Sequence, residues 1–188
     1  RQFLAISGFT VTAMIWGFAF VVVKNSLDAI GPTYLLAFRF TIASLVLAII
    51  FHKRLKNLNK PVLLEGAVLG GCLFIAYLLQ TVGLQYTTAG KNAFLTTIYV
   101  VLVPFLHWML NRKRPKGRCI GAAFLAVIGI GLLSLKGDLT MNLGDVMTLF
   151  CGISFAFHMV YIDKYTEKHD PVTLTVLQLS VVAVLSWI

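Results

Sequence analysis

Apolar residues run along this chain in long unbroken stretches separated by short polar clusters. A helix needs about 20 apolar residues to cross the hydrocarbon core of a bilayer. Seven segments reach or approach that length: residues 3–23, 32–51, 62–84, 89–110, 118–135, 143–162, and an unfinished run from 172 to 188. Backbone polar groups find no water in lipid, so such runs are expected to be helices. An outer-membrane barrel would require alternation with period two, which runs such as LVLAII (45–50) and VLVPFL (101–106) lack. The pattern predicts an all-α polytopic membrane protein, a helix bundle with about seven transmembrane helices.

Composition strengthens this reading. Hydrophobic residues make up 59% of the 188 and charged residues 12%, too little charge to hydrate the surface of a soluble domain. The formal charge of +9 would suggest nucleic acid in a soluble protein, but here the basic residues lie in short loops, where they report topology. Lys53, Arg54, Lys56 and Lys60 follow the second span, and Arg112, Lys113, Arg114, Lys116 and Arg118 follow the fourth. Lys164 and Lys168 follow the sixth, while the other connections hold Lys24, Lys91 and Lys136. The positive-inside rule therefore predicts a cytoplasmic N-terminus in the plasma membrane, with the lipid bilayer rather than nucleic acid as partner. Cys72, Cys119 and Cys151 show no CxxC spacing and read as small packing residues, with no metal or cofactor expected. No secretory signal is expected, since no short apolar segment with a cleavage site precedes the first span. The chain begins with Arg1 and ends inside the apolar run VVAVLSWI, which predicts a fragment of a longer protein.

An internal comparison adds organisation. When WGFAFVVVK (16–24) is written above CGISFAFHM (151–159), Gly17 falls on Gly152 and Phe20 on Phe155. Pro32 and Pro171 open the following spans, with Arg39 and Gln178 at the same distance beyond them. The resulting repeat is five helices long, and an odd number of spans inverts the second copy, an arrangement found in carriers. The expected division is a first five-helix repeat, residues 1–138, and the start of a second, residues 139–188.

These residues resemble the EamA type of the drug/metabolite transporter superfamily. The resemblance rests on Trp16-Gly17, Phe20 and Lys24, on Pro32 and Arg39, on GLQYTTAGKNAFL (83–95), on Pro104, and on GAAFLAVIGIGLLSL (121–135). It implies ten helices in two inverted halves. Many members carry a Glu-Arg pair before the fifth helix where this chain has Lys113 and Arg114, so no role that needs that carboxylate carries over.

Carriers bind near the bilayer midplane, which directs attention to polar and aromatic groups sharing one helical face. On the fourth span Asn92, Thr96 and Tyr99 form one stripe. Tyr77 and Gln80 share a face of the third span, Thr12, Trp16 and Phe20 of the first, and Cys151, Phe155 and His158 of the sixth. Trp16, Phe20, Tyr77, Gln80, Asn92, Thr96, Tyr99, Phe155 and His158 are the expected substrate-binding set. The bland alternatives are backbone bonding for the threonines, helix-helix glue for the amides and packing for the histidine. Lys24 and Lys91 are expected to snorkel. Structural roles are expected for Gly17 and Gly152, for Pro104 as a kink, and for Arg39 and Gln178 as hydrogen-bonding groups, with a substrate-carboxylate anchor the alternative for Arg39. Gly66 and Gly70, and Gly117 and Gly121, are spaced for close helix contact.

The leading functional expectation is a secondary transporter that moves small metabolites, amino acids or amphipathic drug-like solutes by alternating access, with export the direction the family most often implies. A scaffold or accessory subunit is the alternative, followed by a channel. An intramembrane enzyme is not expected, because HExxH, GxSxG and paired deep acids are missing from the sequence.

Overall fold

A computed structural model describes residues 2–112, 115, 117–134 and 141–188. Lys113, Arg114, Lys116, Lys136 and the expected boundary at residue 138 lie outside the described residues. The helices are α1 (Gln2–Ser26), α2 (Pro32–Ile50), α3 (Lys60–Tyr86), α4 (Ala89–Thr96), α5 (Ile98–Asn111), α6 (Gly117–Ser134), α7 (Leu143–Thr166) and α8 (Pro171–Ser186), with a short 3-10 turn at Arg54–Asn57. Among the described residues there is no strand. By length and apolar composition α1, α2, α3, the α4–α5 unit and α7 can each cross a bilayer, and α6 and α8 are shorter apolar helices. The protein is an all-α polytopic membrane protein.

Local chemistry starts the helices where the polar clusters fall. Proline occupies the first turn of α2, α3 and α8, where its missing N–H costs nothing. The side chains of Asn59, Thr88 and Asp170 accept from the backbone N–H groups of Val62, Lys91 and Thr173. Asn142 and Asp145 cap α7 reciprocally, satisfying two otherwise orphaned donors. The expected fourth span is divided at Thr97, whose hydroxyl and backbone N–H both donate to the Phe94 carbonyl. This break was not expected. Pro104, the expected kink, lies inside α5, which continues through it, because a proline removes one hydrogen bond while the flanking turns keep theirs.

α3 lies against both α7 and α8, and α2 lies against α8. Leu36 and Phe40, Leu73 and Ala76, Cys151 and Phe155, and Val182 and Ala183 form the shared core. Close approach depends on missing side chains: a Cβ at Gly66 would stand 2.7 Å from Leu177 Cβ, and one at Gly70 would stand 2.5 Å from Val181 Cβ. Small residues at such crossings let helices pack by dispersion where lipid supplies no hydrophobic drive. Gly117 and Gly121, expected to act likewise, meet nothing within 4 Å among the described residues. Gly17 is equally open, whereas Gly152 faces Ile98 and the Thr96 carbonyl beside the Thr97 break, so this pair does not share one packing environment. Cys119 is exposed rather than packed.

α2 and α8 run antiparallel and are fastened at both ends. At one end Trp187 Nε1 donates to Thr41 Oγ1 at 3.0 Å and its ring meets the edges of Tyr34 and Phe38. At the other, Arg54 pairs with Asp170 at 2.6 Å.

A candidate substrate cavity among six helices

One cavity gathers most of the aromatic and polar residues singled out above. It encloses about 720 Å³ of atom-free space, counting its open mouth. α1 contributes Trp16 and Phe20, α3 contributes Tyr77 and Gln80, and α4 contributes Thr96. Tyr99 of α5 and Phe155 of α7 complete the wall, together with Arg39 of α2. The rings are mutually ordered: Tyr77 meets Phe40 at 4.9 Å and Phe155 at 5.4 Å between centroids, both edge-on, and Tyr99 meets Phe155 at 6.0 Å. Edge-on contact follows from the ring quadrupole.

Polar side chains link the wall to the helices behind it. Gln80 Nε2 donates to Thr96 Oγ1 at 3.1 Å, and Thr96 Oγ1 donates to the Asn92 carbonyl at 2.8 Å. Asn92 Nδ2 donates to the Gln80 carbonyl at 3.1 Å and to Thr148 Oγ1 at 2.8 Å. The ladder ties α3, α4 and α7 together and holds Gln80 at the cavity edge. Asn92 itself is fully buried behind the wall. Thr12 donates to the Gly8 carbonyl and stays outside the cavity.

His158 also stands apart from the cavity. It is buried, and its Nε2–H donates to Gln178 Oε1 at 2.7 Å. The choice between i+3 and i+4 decides this: from Phe155 the cavity stripe continues to Met159, and His158 turns toward α8. Gln178 is thereby engaged by His158. Among the described residues Arg39 makes no hydrogen bond or ion pair, and its guanidinium carbon lies 5.2 Å from the Tyr77 ring centroid and 5.6 Å from that of Phe40.

The two lysines expected to snorkel are instead engaged inside the fold. Lys24 Nζ donates to the Leu84 and Gln85 carbonyls at 2.6 and 3.2 Å, neutralising the negative end of α3. Lys91 Nζ pairs with Asp145 Oδ2 at 2.6 Å, and Thr87 Oγ1 donates to the other oxygen at 2.9 Å. Among the described residues no three His, Cys, Asp or Glu side chains converge as metal ligands would.

The family model of the EamA-like transporters matches residues 3–135. The chain belongs to the EamA-like transporter family. Two proteins of Archaeoglobus fulgidus, each named an uncharacterized transporter, are 34% and 31% identical to it. Their alignments cover 99% and 88% of this chain and 58% and 59% of the relatives. The uncharacterized transporter YvbV of Bacillus subtilis is 28% identical, covering 89% of this chain and 56% of its own length. This EamA-type chain thus spans under three fifths of the length of these curated relatives. No solved structure matches it.

The sequence reading missed several small wall residues of this EamA cavity. Ala19 and Val23 lie three and seven residues beyond Trp16, positions that the helical stripe through Trp16 already includes. Ala93 and Thr97 line the wall in place of Asn92, and no signal separated the two faces of α4, because polar residues occur on both.

Proposed function

We propose that this chain forms the first five-helix repeat and the start of the second in a secondary transporter for small metabolites, which works by alternating access in the cytoplasmic membrane. The observation that carries the reading is the cavity itself: aromatic rings, an amide and hydroxyls from α1, α3, α4, α5 and α7 converge on one space. Such a lining suits a small amphipathic solute. The antiparallel fastening of α2 to α8 supports the repeat boundary near residue 138. In the proposed correspondence these two helices are equivalent, and an axis in the membrane plane would pair them antiparallel. Substrate binding would shift the balance between inward-open and outward-open packings of the two repeats. The basic loops support a cytoplasmic N-terminus, and the family resemblance supports export.

The test is counterflow in proteoliposomes containing the full-length protein, with a panel of amino acids and amphipathic solutes. Saturable exchange that falls at least about tenfold in Trp16→Ala and Tyr99→Ala, at normal expression, is the expected result, since each substitution removes a large aromatic contact. Substitutions that alter assembly alone, with transport per folded molecule unchanged, would favour a scaffold.

A further inference from the structure

Among the described residues Arg39 is the one charged side chain in the cavity wall, and none of them offers it a hydrogen-bond acceptor. The neighbouring cations are engaged, Lys24 on the end of α3 and Lys91 on Asp145. The neighbouring carboxylate is equally occupied: Asp145 accepts from Lys91, from Thr87 and from the Asn142 backbone N–H. Gln178, the residue that the internal comparison sets opposite Arg39, bonds to His158, so its pairing supplies no parallel for Arg39.

The backbone of Arg39, seven residues into α2, is roughly 10 Å from the helix start, and its side chain is exposed at the cavity wall. Charge at that depth is costly unless it is paired or faces water. The rings of Tyr77 and Phe40 recover part of the cost through their negative faces. They do not use the five N–H donors, which remain free to fork onto a carboxylate.

We propose that Arg39 anchors the carboxylate of an anionic substrate, and that the cavity selects monocarboxylates with an apolar or aromatic body. The proposal rests on the transport reading of the cavity and adds the substrate class. The carboxylate meets the guanidinium fork, the body lies among Trp16, Tyr77, Tyr99 and Phe155, and Gln80 provides a neutral polar contact at the edge. A solute bearing only a positive charge would meet Arg39 as a like charge, with Asp145 already taken. The neutral amide of the same shape would lose the charge-assisted bonds.

The experiment measures binding of 3-phenylpropionate, 3-phenylpropionamide and 3-phenylpropylamine to the full-length protein in nanodiscs, beside counterflow of the same anion in proteoliposomes. The anion is expected to bind at least about tenfold more tightly than the amide, because hydrogen bonds to charged groups are the stronger kind. Arg39→Gln is expected to abolish that preference while leaving amide binding within about twofold, and Arg39→Lys to retain the preference with weaker binding, since a point charge replaces the fork. Equal binding of anion and amide, or an anion preference that survives in Arg39→Gln, overturns the proposal. So does the absence of binding by all three compounds. Anion binding without counterflow leaves the substrate class standing and removes the transport reading. Counterflow of neutral or cationic solutes with no anion preference does the reverse.

Discussion

Lys91 Nζ lies 2.6 Å from Asp145 Oδ2, joining the first turn of α4 to the first turn of α7, and the aspartate side chain is only 1% exposed. Removing the cation leaves a buried carboxylate with two neutral donors. Lys91→Met is therefore expected to destabilise the full-length protein by about 3–5 kcal/mol, and adding Asp145→Asn should recover part of the loss. Thermal unfolding in detergent measures both, and an unchanged midpoint for Lys91→Met would mean that the pair contributes nothing.

Adjacent glycines in α3 should behave in opposite ways. Gly70→Ala puts a Cβ against Val181, whereas among the described residues Gly71→Ala meets nothing within 4 Å. Overpacking predicts a loss of about 1–3 kcal/mol for Gly70→Ala, with Gly71→Ala within about 1 kcal/mol of the parent. Recovery of Gly70→Ala stability by Val181→Ala would locate the clash; failure to recover would place the strain elsewhere.

The buried His158–Gln178 contact predicts non-additivity. Each single change to leucine strands a buried polar partner, at about 1–3 kcal/mol. The double variant should cost less than the sum of the two, because no unpaired group remains. Additive losses in a double-mutant cycle would show that the two side chains do not depend on one another.

Asp170, outside the spans at the start of α8, gives a pH dependence of defined sign. The Thr173 backbone N–H above all, joined by the Thr173 hydroxyl and Arg54, holds its carboxyl below the ordinary carboxylate range against burial, the second-largest influence, which pushes it up. A lowered folded-state value stabilises fully above the unfolded carboxylate pKa, and that contribution disappears as pH falls through the folded value. The stability difference between the parent and Asp170→Ala is therefore expected to shrink on acidification below the ordinary carboxylate range. A difference that grows there would contradict the capping geometry.

Much of this architecture was legible without coordinates. Long apolar runs must become helices in lipid, and Pro32, Pro171 and the basic clusters mark where they start and stop. The aromatic stripe through Trp16 and Phe20 and the pair Tyr77 and Gln80 could be placed on helix faces, because a helical period relates residues within one span. The reading failed where two faces of one helix looked alike. Asn92 and His158 turn away from the cavity, while Ala93 and Met159 line it, since in a lipid-spanning helix the apolar side can face either lipid or protein.

Sequence alone determined the helical class, the spans and the inventory of cavity-forming residue types, because the bilayer imposes its length and its demand for internal hydrogen bonds on every segment. Only the tertiary structure decided the partners: Lys91 with Asp145, His158 with Gln178, Lys24 with the end of α3, and Arg39 with aromatic faces. Those pairings join residues far apart in the chain, and what selects them is the close approach of helices at their small residues, which no single span encodes.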